Sequence, residues 1–362
     1  MENQEPLNQP LPPFSCSFSP NVPELLRQMN CSLALTTYQA GKVVLLSATD
    51  HERLVQLPRD FRSPMGMALR DNLLALATLN EVVVFANSPE LAAHFPDKPG
   101  VYDAMYLPRT VRHTGELAVH DMGFGPKGLW AVNTRFSCLC LLDDGFSFRP
   151  AWKPPFISDL LPEDRCHLNG MAMEDGEPAY VTALAPSDKP GGWREDISAA
   201  RGLLMRVSDG EVILDGLYMP HSPRLYKGSL YLLNSGTGEL LKVDPATRRR
   251  EVVTRLKGFA RGLARWGDFL FIGLSRLRQN SSTFRDLPIA KESLFSGIQV
   301  VDLRAGSVVG QIQYHTSVDE IYDVQVLPGM LRPNILGHEA PEHRLALSLP
   351  GATFWGAREK KG

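Results

Sequence analysis

The sequence repeats one short pattern six times, in which a residue stands three places before a glycine, or its replacement, that opens a short apolar strand. HLNGMA places His167 before Gly170, and VHDMGF places His120 before Gly123. In PHSPRLY, Arg224 takes the glycine position, and the equivalent residues of all six segments are Ser63, His120, His167, His221, Phe259 and Glu320. The segments begin roughly every 40 to 60 residues, a period typical of propeller blades.

The stretches between these segments contain short strand patterns with turn residues and almost no helical periodicity. The sequence therefore predicts an all-β fold, a six-bladed β-propeller with an axial channel. Three strand-like runs lie within residues 32–57, before the first innermost strand, whereas few follow the last one at residues 322–327. One blade is therefore expected to mix the two ends of the chain and close the ring. The predicted domains are an N-terminal arm (1–30), the propeller (31–330) and a C-terminal tail packing on it (331–362).

Composition and charge narrow the functional classes. Net charge is −2 and the chain has 43% hydrophobic residues, so no basic excess points to nucleic acid or an anionic membrane. No apolar run reaches the ~20 residues of a membrane helix, and no signal peptide is visible at the N-terminus. Five cysteines, an odd number, favour a reducing compartment and predict a cytoplasmic location.

Three of the nine histidines fall on the repeated position, at spacings of 47 and 54 residues. Strand starts around a propeller axis point toward one another, so His120, His167 and His221 are expected to meet there and bind a metal. Imidazole and carboxylate suit Fe(II) or Zn, with Cu as a further choice. Glu320 is expected to be a fourth ligand or to hold a histidine. The alternative is that each histidine closes its own blade by hydrogen bonds.

Polar residues beside this position suggest how a substrate would be held. Asn169, Arg224 and Arg261 are predicted to orient it, because two arginines at a channel mouth can clamp a carboxylate or phosphate. The alternative is that the arginines form structural ion pairs with neighbouring aspartates. Asp121 is predicted as an orienter or base. Tyr322 is either an acid/base group or a packing ring.

Long connections rich in Pro, Asp, Ser and Arg lead into several innermost strands, and so lie on the face where those strands begin. One long loop, SDKPGGWRED, carries Trp193 and Arg194 between glycines. We expect these two side chains to fold over the channel mouth and contact the substrate.

Several phrases resemble an uncharacterised bacterial conserved-hypothetical family, described as a domain of unknown function. They include SLALTTYQAGKV, EDRCHLNGMA, GWRED, MPHSPR, NSGTGEL and EIYDVQVLPG, spread from about Ser32 to Pro328. The resemblance implies a propeller-like β fold and a family sometimes placed near natural-product or peptide-modifying genes. It brings no established reaction.

A looser likeness is to the six-bladed gluconolactonase, paraoxonase and strictosidine-synthase group, which implies a metal on the axis. That group binds calcium mainly through carboxylates and amides, and three histidines depart from this pattern. The seven-bladed carotenoid oxygenases hold iron with axial histidines, an analogy at the level of fold alone.

The sequence thus predicts a metal-dependent enzyme, oxidative or lyase-like, acting on a small anionic molecule or a peptide. Two alternatives remain open. One is a non-catalytic binding or scaffold propeller whose histidines are structural. The other is a metal-free hydrolase that uses Asp121 or Glu320 with a histidine. The partner is expected to be a small molecule or peptide, with no nucleic acid and no membrane.

Overall fold

A computed structural model describes residues 10–277, 284–292 and 294–357. Within these residues, six sheets of four or five antiparallel strands form a ring, with one parallel edge pairing in blade 1. Numbered along the chain, the blades consist of the following strands from the inside outward. Blade 1 has Met67–Arg70, Leu73–Ala77, Glu81–Asn87 and Ala104–His113; blade 2 has Val119–Gly125, Gly128–Asn133, Cys138–Leu141 and Arg149–Trp152; blade 3 has Leu168–Glu174, Glu177–Ala183, Gly202–Arg206 and Val212–Leu217. Blade 4 has Pro220–Tyr226, Ser229–Asn234, Glu239–Asp244 and Arg249–Arg255; blade 5 has Phe259–Trp266, Phe269–Ser275, Ser296–Asp302 and Ser307–Tyr314; blade 6 has Asp323–Pro328, Cys31–Thr37, Lys42–Ala48 and Leu54–Asp60.

Blade 6 closes the ring with strands from both ends of the chain. Its innermost strand Asp323–Pro328 pairs antiparallel with Cys31–Thr37, with Leu33 opposite Val326. The six innermost strands contact their neighbours all the way around. The predicted six-bladed propeller and its mixed closing blade are confirmed, and closure leaves few free sheet edges.

The terminal segments add strands to the outer edges of two blades. Cys16–Phe18 joins blade 5 beside Ser307–Tyr314, and the helix Asn21–Gln28 follows it. Pro333–Ile335 joins blade 1 as a parallel strand. The hairpin Ala346–Leu349 with Ala352–Trp355 packs on the helix Pro89–Ala93, where Trp355 Nε1 donates to the Leu91 carbonyl at 3.0 Å. Short 3₁₀ helices at Gly192–Arg194, Pro288–Lys291 and Pro341–Leu345 complete the described elements.

The apolar core lies mainly between the blades, where alternate residues of neighbouring sheets interdigitate. Leu33, Phe271 and Val324 belong to one such layer and are fully buried. None of the described helices is long and apolar enough to span a bilayer.

One glycine controls how closely blades 5 and 6 approach. Gly262 has φ +74° at a bulge of the innermost strand, and a Cβ there would lie 2.6 Å from the Val324 nitrogen. Gly262→Ala should therefore combine left-handed strain with a backbone collision and lower the free energy of unfolding by roughly 3 kcal/mol. Gly216→Ala is the matched control, because Gly216 has φ +65° with nothing within 4 Å. Urea denaturation should show roughly 1 kcal/mol for the control; equal losses in both would contradict the collision.

Candidate functional site

Strand register sorts the axial side chains into two levels. In blades 2, 3 and 4 the first paired residues of the innermost strands are Val119 with Asn133, Leu168 with Ala183, and Pro220 with Asn234. The residues that follow, His120, Asn169 and His221, therefore occupy one level. Three hydroxyl groups support this alignment, because each donates to the equivalent backbone carbonyl of the next blade. The pairs are Thr134 with Leu168, Ser235 with Ala260, and Ser275 with Ile321. The lower level around the axis is Gly66, His120, Asn169, His221, Arg261 and Tyr322.

The upper level lies two residues earlier, toward the channel mouth. It contains Ala118, His167, Met219, Phe259 and Glu320. Ala118, His167 and Met219 share a positive φ of 50–52° at this position, which marks the same backbone kink in three blades. The prediction that the six repeated positions lie at one level is therefore wrong. His167, Phe259 and Glu320 lie one level above His120 and His221. Ser63, three residues before Gly66, belongs to neither level. The segments cannot be aligned on their glycines, because these glycines face different neighbours. A Cβ at Gly170 would collide with Pro223, whereas a Cβ at Gly123 would collide with Met173.

His120 and His221 are held in the same way. Nδ1 of His120 lies 2.9 Å from the Ala118 carbonyl and 2.8 Å from Thr134 Oγ1, and Nδ1 of His221 lies 2.9 Å from the Met219 carbonyl and 3.0 Å from Ser235 Oγ. Each hydroxyl already donates its hydrogen to a carbonyl of the next blade, at 2.6 Å. Nδ1 must therefore carry the imidazole hydrogen, which leaves Nε2 with its lone pair.

The sequence reasoning did not single out Thr134 or Ser235. Both stand 14 residues after their histidine and directly follow an asparagine that ends the second strand. That shared spacing is the signal that would have paired His120 with His221 and separated His167 from them.

His167 depends on a different partner, Asp164. Its Nδ1 lies 2.9 Å from Asp164 Oδ1, and Asp164 Oδ2 also accepts from Trp193 Nε1 at 2.8 Å and Arg194 at 3.3 Å. The Trp193 ring lies 4.2 Å from the His167 ring, and the Arg194 guanidinium covers Trp193 at 4.0 Å. The loop thus meets the channel mouth, where Trp193 is buried against His167 and lines the mouth cavity together with Arg194.

Burial controls the charge of these groups. It lowers the pKa of His120 to about 3, with the nearby His167 as the second cause, and it lowers the pKa of His221 well below its usual value, with Arg261 second. Burial raises the pKa of Asp164, but His167, Trp193 and Arg194 outweigh it and lower that pKa overall. Burial also raises the pKa of Tyr322 well above its usual value. At neutral pH, His120 and His221 are neutral and Tyr322 keeps its proton.

The two levels line two cavities. A cavity of about 340 Å³ opens at the mouth and touches His120, His167, Arg261, Glu320 and Tyr322. A much smaller one of about 10 Å³ lies below it and touches His120, Asn169, His221, Arg261 and Tyr322. Rings of His120 and His167 are 4.8 Å apart and those of His120 and Tyr322 5.2 Å apart. The fold therefore brings these predicted site residues together at the axis.

Four buried polar atoms at this place have no hydrogen-bond partner: Asn169 Nδ2, Arg261 Nε, Glu320 Oε2 and Tyr322 Oη. Buried polar groups are almost always satisfied, so a cluster of orphaned ones marks a place where a bound molecule supplies the missing partners. In the described part of the chain, Nε2 of His120, His167 and His221 likewise makes no hydrogen bond.

Asp121 and Arg224 have structural roles. Both Asp121 oxygens bond to Arg224, at 2.6 and 3.1 Å, and each also accepts one backbone N–H, from Met122 and from Met171 in the next blade. No lone pair of Asp121 is left for proton transfer, and Arg224 lies below the mouth cavity. The ion-pair alternative therefore holds for Arg224, and neither predicted role, as base or as substrate clamp, fits these two residues.

Among the described residues, no three or more His, Cys, Asp or Glu side chains are grouped so that they could hold a metal ion. This follows from the two levels, since His167 stands above His120 and His221. The donor chemistry nevertheless suits a transition metal. Metal-bound histidines usually donate their other ring N–H to a carboxylate or carbonyl, as all three do here.

The chain matches a known protein family over most of its length. Residues 20–336 match the profile of a domain of unknown function (DUF4915). The chain belongs to this family. The match spans all six blades of the DUF4915 propeller and confirms the resemblance seen in the sequence. No sequence among the curated proteins matches the chain.

Solved structures similar to the DUF4915 propeller are distant. The crystal structure of the nidogen/laminin complex matches with a TM-score of 0.52 and 11% identity, over 83% of this chain and 99% of that one. A protein of unknown function from Bacteroides caccae matches with 0.48 and 10%, over 82% and 98%. The Neurospora crassa Pan2 WD40 domain matches with 0.39 and 14%, over 68% and 64%. At such identities the likeness concerns the fold alone.

Proposed function

We propose that the mouth cavity is the active site of a metal-dependent enzyme, oxidative or lyase-like, acting on a small molecule with an acidic group or on a peptide. His120, His167 and His221 would hold a divalent transition metal through Nε2, with Fe(II) and Zn ahead of Cu. The observation that carries the proposal is the fixed tautomer of the three imidazoles. Each one uses Nδ1–H in a hydrogen bond, and no hydrogen bond occupies its Nε2.

The burial of the site supports the same function. Neutral imidazoles are the form that binds metals, and burial keeps His120 and His221 neutral well below pH 7. When bound, a divalent metal would supply a Lewis acid and, if it is iron, a redox centre. Tyr322 keeps its proton and its hydroxyl has no partner, so it would donate a hydrogen bond to a substrate oxygen. Arg261 and Glu320 pair with each other at 2.7 Å, so we assign Glu320 to the substrate and not to the metal.

A second candidate function is metal-free acid–base catalysis by His167. Asp164 orients the His167 ring through Nδ1, as the carboxylate of a catalytic triad orients its histidine. Trp193 and Arg194 in turn hold Asp164 in place. This candidate replaces the hydrolase expectation built on Asp121, whose oxygens are fully occupied.

Metal analysis decides between the two. Protein incubated with Fe(II), Zn(II) or Cu(II) and then desalted should retain on the order of one equivalent per chain, as a single site requires. His120→Gln and His221→Gln should retain less than about a tenth of that, since each removes one ligand. His51→Gln is the matched control, because His51 is exposed on an outer turn.

Equal metal content in wild type and both axial variants would end the metal proposal. So would a wild type that retains no metal at all, an outcome that favours His167 acting with Asp164. Circular dichroism of each variant separates loss of metal from loss of fold.

A further inference from the structure

The ion pair between Arg261 and Glu320 leaves one donor and one acceptor without a hydrogen-bond partner. Arg261 donates to Glu320 Oε1 at 2.7 Å, while Arg261 Nε and Glu320 Oε2 have no partner although both are buried. The Arg261 guanidinium lies between the rings of Phe259, at 5.4 Å, and Tyr322, at 5.1 Å. The pair is therefore held in place, with one donor and one acceptor vacant on either side of a single hydrogen bond. A ligand that fills both vacancies must offer an acceptor and a donor close to each other.

The charge of the mouth favours the same kind of ligand. Four arginines line the cavity among the described residues, which alone would suggest a simple anion. Each has a carboxylate partner, however: Arg135 with Glu116 at 3.6 Å, Arg194 with Asp164 at 3.3 Å, Arg261 with Glu320 at 2.7 Å, and Arg276 with Asp319 at 3.5 Å. The positive charges are balanced, so the mouth offers no net field for an anion. A ligand with both signs of charge meets both members of a pair.

The remaining wall is apolar and aromatic. Tyr38, Met65, Phe259 and Tyr322 line the cavity beside the ion pair, and its volume of about 340 Å³ is near the lower end for small-molecule sites. The terminal torsion of a glutamate is soft, so a turn of the Glu320 carboxylate presents Oε2 to the cavity. An apolar side chain would then lie against the rings while the charged end of the ligand meets Arg261 and Glu320.

We infer that the site takes a free α-amino acid with an apolar, aromatic side chain. Its ammonium would donate to Glu320 Oε2 and its carboxylate would accept from Arg261 Nε. The two charged groups of an α-amino acid are both attached to Cα and so lie close together, which matches the two vacancies. This inference rests on the proposed function, because it assigns the substrate class of the same cavity.

Three ligands that share one side chain test the inference on the wild-type protein. Phenylalanine has both charges, N-acetylphenylalanine lacks the ammonium, and phenethylamine lacks the carboxylate. Calorimetric titration of chelator-treated protein should show phenylalanine binding about 10- to 100-fold more tightly than either analogue, as expected for one charged hydrogen bond. Equal or tighter binding of N-acetylphenylalanine would overturn the inference in favour of a simple anion, and equal binding of phenethylamine in favour of an amine. Absence of binding by all three would overturn it as well.

Variants of the protein test the same contacts from the other side. Glu320→Gln should remove the preference for phenylalanine over N-acetylphenylalanine, and Arg261→Gln the preference over phenethylamine. Asp319→Asn is the matched control, since Asp319 is an exposed partner of Arg276 at the same mouth and should change neither ratio. Unaltered ratios in folded Glu320→Gln protein would contradict the assignment.

Metal retention keeps the two proposals apart when it is measured on samples of the same proteins that are incubated with metal and desalted instead of treated with chelator. Normal metal content without the ligand preference would overturn only the amino-acid inference. A clear preference in protein that binds no metal would overturn only the three-histidine centre.

Discussion

Arg224→Met is expected to lower the free energy of unfolding by about 3 to 5 kcal/mol, as is typical when one partner of a buried ion pair is removed. Arg224 lies on blade 4 and Asp121 on blade 2, with blade 3 between them, and their side chains are 16% and 5% exposed. The guanidinium also donates to the Met171 carbonyl in blade 3 at 3.0 Å. One side chain thus ties three blades together, and its loss leaves the Asp121 carboxylate buried without its counter-charge.

Lys127→Met provides the comparison for an ion pair in solvent. Lys127 and Glu177 also join two blades, with 3.0 Å between their charged atoms, but their side chains are 62% and 38% exposed. Removing an exposed pair should change the free energy of unfolding by no more than about 1 kcal/mol. Urea denaturation of both variants at one pH measures the difference. A loss in Arg224→Met no larger than in Lys127→Met would show that the buried pair does not hold the blades together.

The double variant Asp121→Leu with Arg224→Met refines this expectation. Removing both charges eliminates the unpaired carboxylate, so the double variant should be more stable than Arg224→Met alone. It still loses the two backbone hydrogen bonds that Asp121 accepts from Met122 and Met171. Its stability should therefore lie between that of Arg224→Met and that of the wild type.

The ring architecture could be predicted because it is encoded locally. Each innermost strand carries its own turn and apolar run, and six repeats leave little choice but closure. The mixed blade followed from counting strands before residue 66 and after residue 322. These are short-range patterns, and they survive even when the exact alignment between repeats is incorrect.

The depth of each side chain in the channel could not be predicted in the same way. It depends on bulges, and on which glycine faces which neighbour. Gly170 and Gly123 look equivalent in the sequence, yet a Cβ at Gly170 would meet Pro223 and one at Gly123 would meet Met173. The sequence therefore predicts that His167 lies level with His120, whereas the structure sets it one level higher. Its link to Asp164, only three residues earlier, was within reach of the sequence.

Roles that depend on who pairs with whom were equally hidden. The sequence offers Arg224 and Arg261 alike, either as substrate clamps or as partners of nearby aspartates. Arg224 donates two hydrogen bonds to Asp121, whereas the Nε of Arg261 has no hydrogen-bond partner. The sequence does not reveal this difference, because Asp121 lies 103 residues before Arg224 in the chain and only the folded ring brings the two side chains together.

Acidification of chelator-treated protein should expose the cost of burying His120 and His221. In the folded protein, burial, with the nearby His167 as the second cause, lowers the pKa of His120 to about 3. Burial, with Arg261 as the second cause, lowers the pKa of His221 well below its usual value. In the unfolded chain both rings titrate near pH 6.5. Below that pH the two rings bind protons in the unfolded state but not in the folded state, so the free energy of unfolding falls as the pH falls.

The expected loss is about 2 kcal/mol for each histidine between pH 7.5 and 5, or about 4 kcal/mol for the two. The double variant His120→Gln with His221→Gln should lack this part of the slope, whatever its stability at pH 7.5. His51→Gln should keep the wild-type slope. Urea denaturation at four or five pH values gives the slopes directly.

Other groups titrate in the same range, and only the difference between slopes isolates the histidines. Asp323 acts in the opposite direction: burial raises its pKa to about 7, so its protonation stabilises the folded state as the pH falls through 7. Asp323 is present in the wild type, in the double variant and in the control, and so its contribution cancels in the comparison. A double variant with the full wild-type slope would mean that His120 and His221 accept protons in the folded protein. The axis would then hold charged imidazoles, which bind no metal.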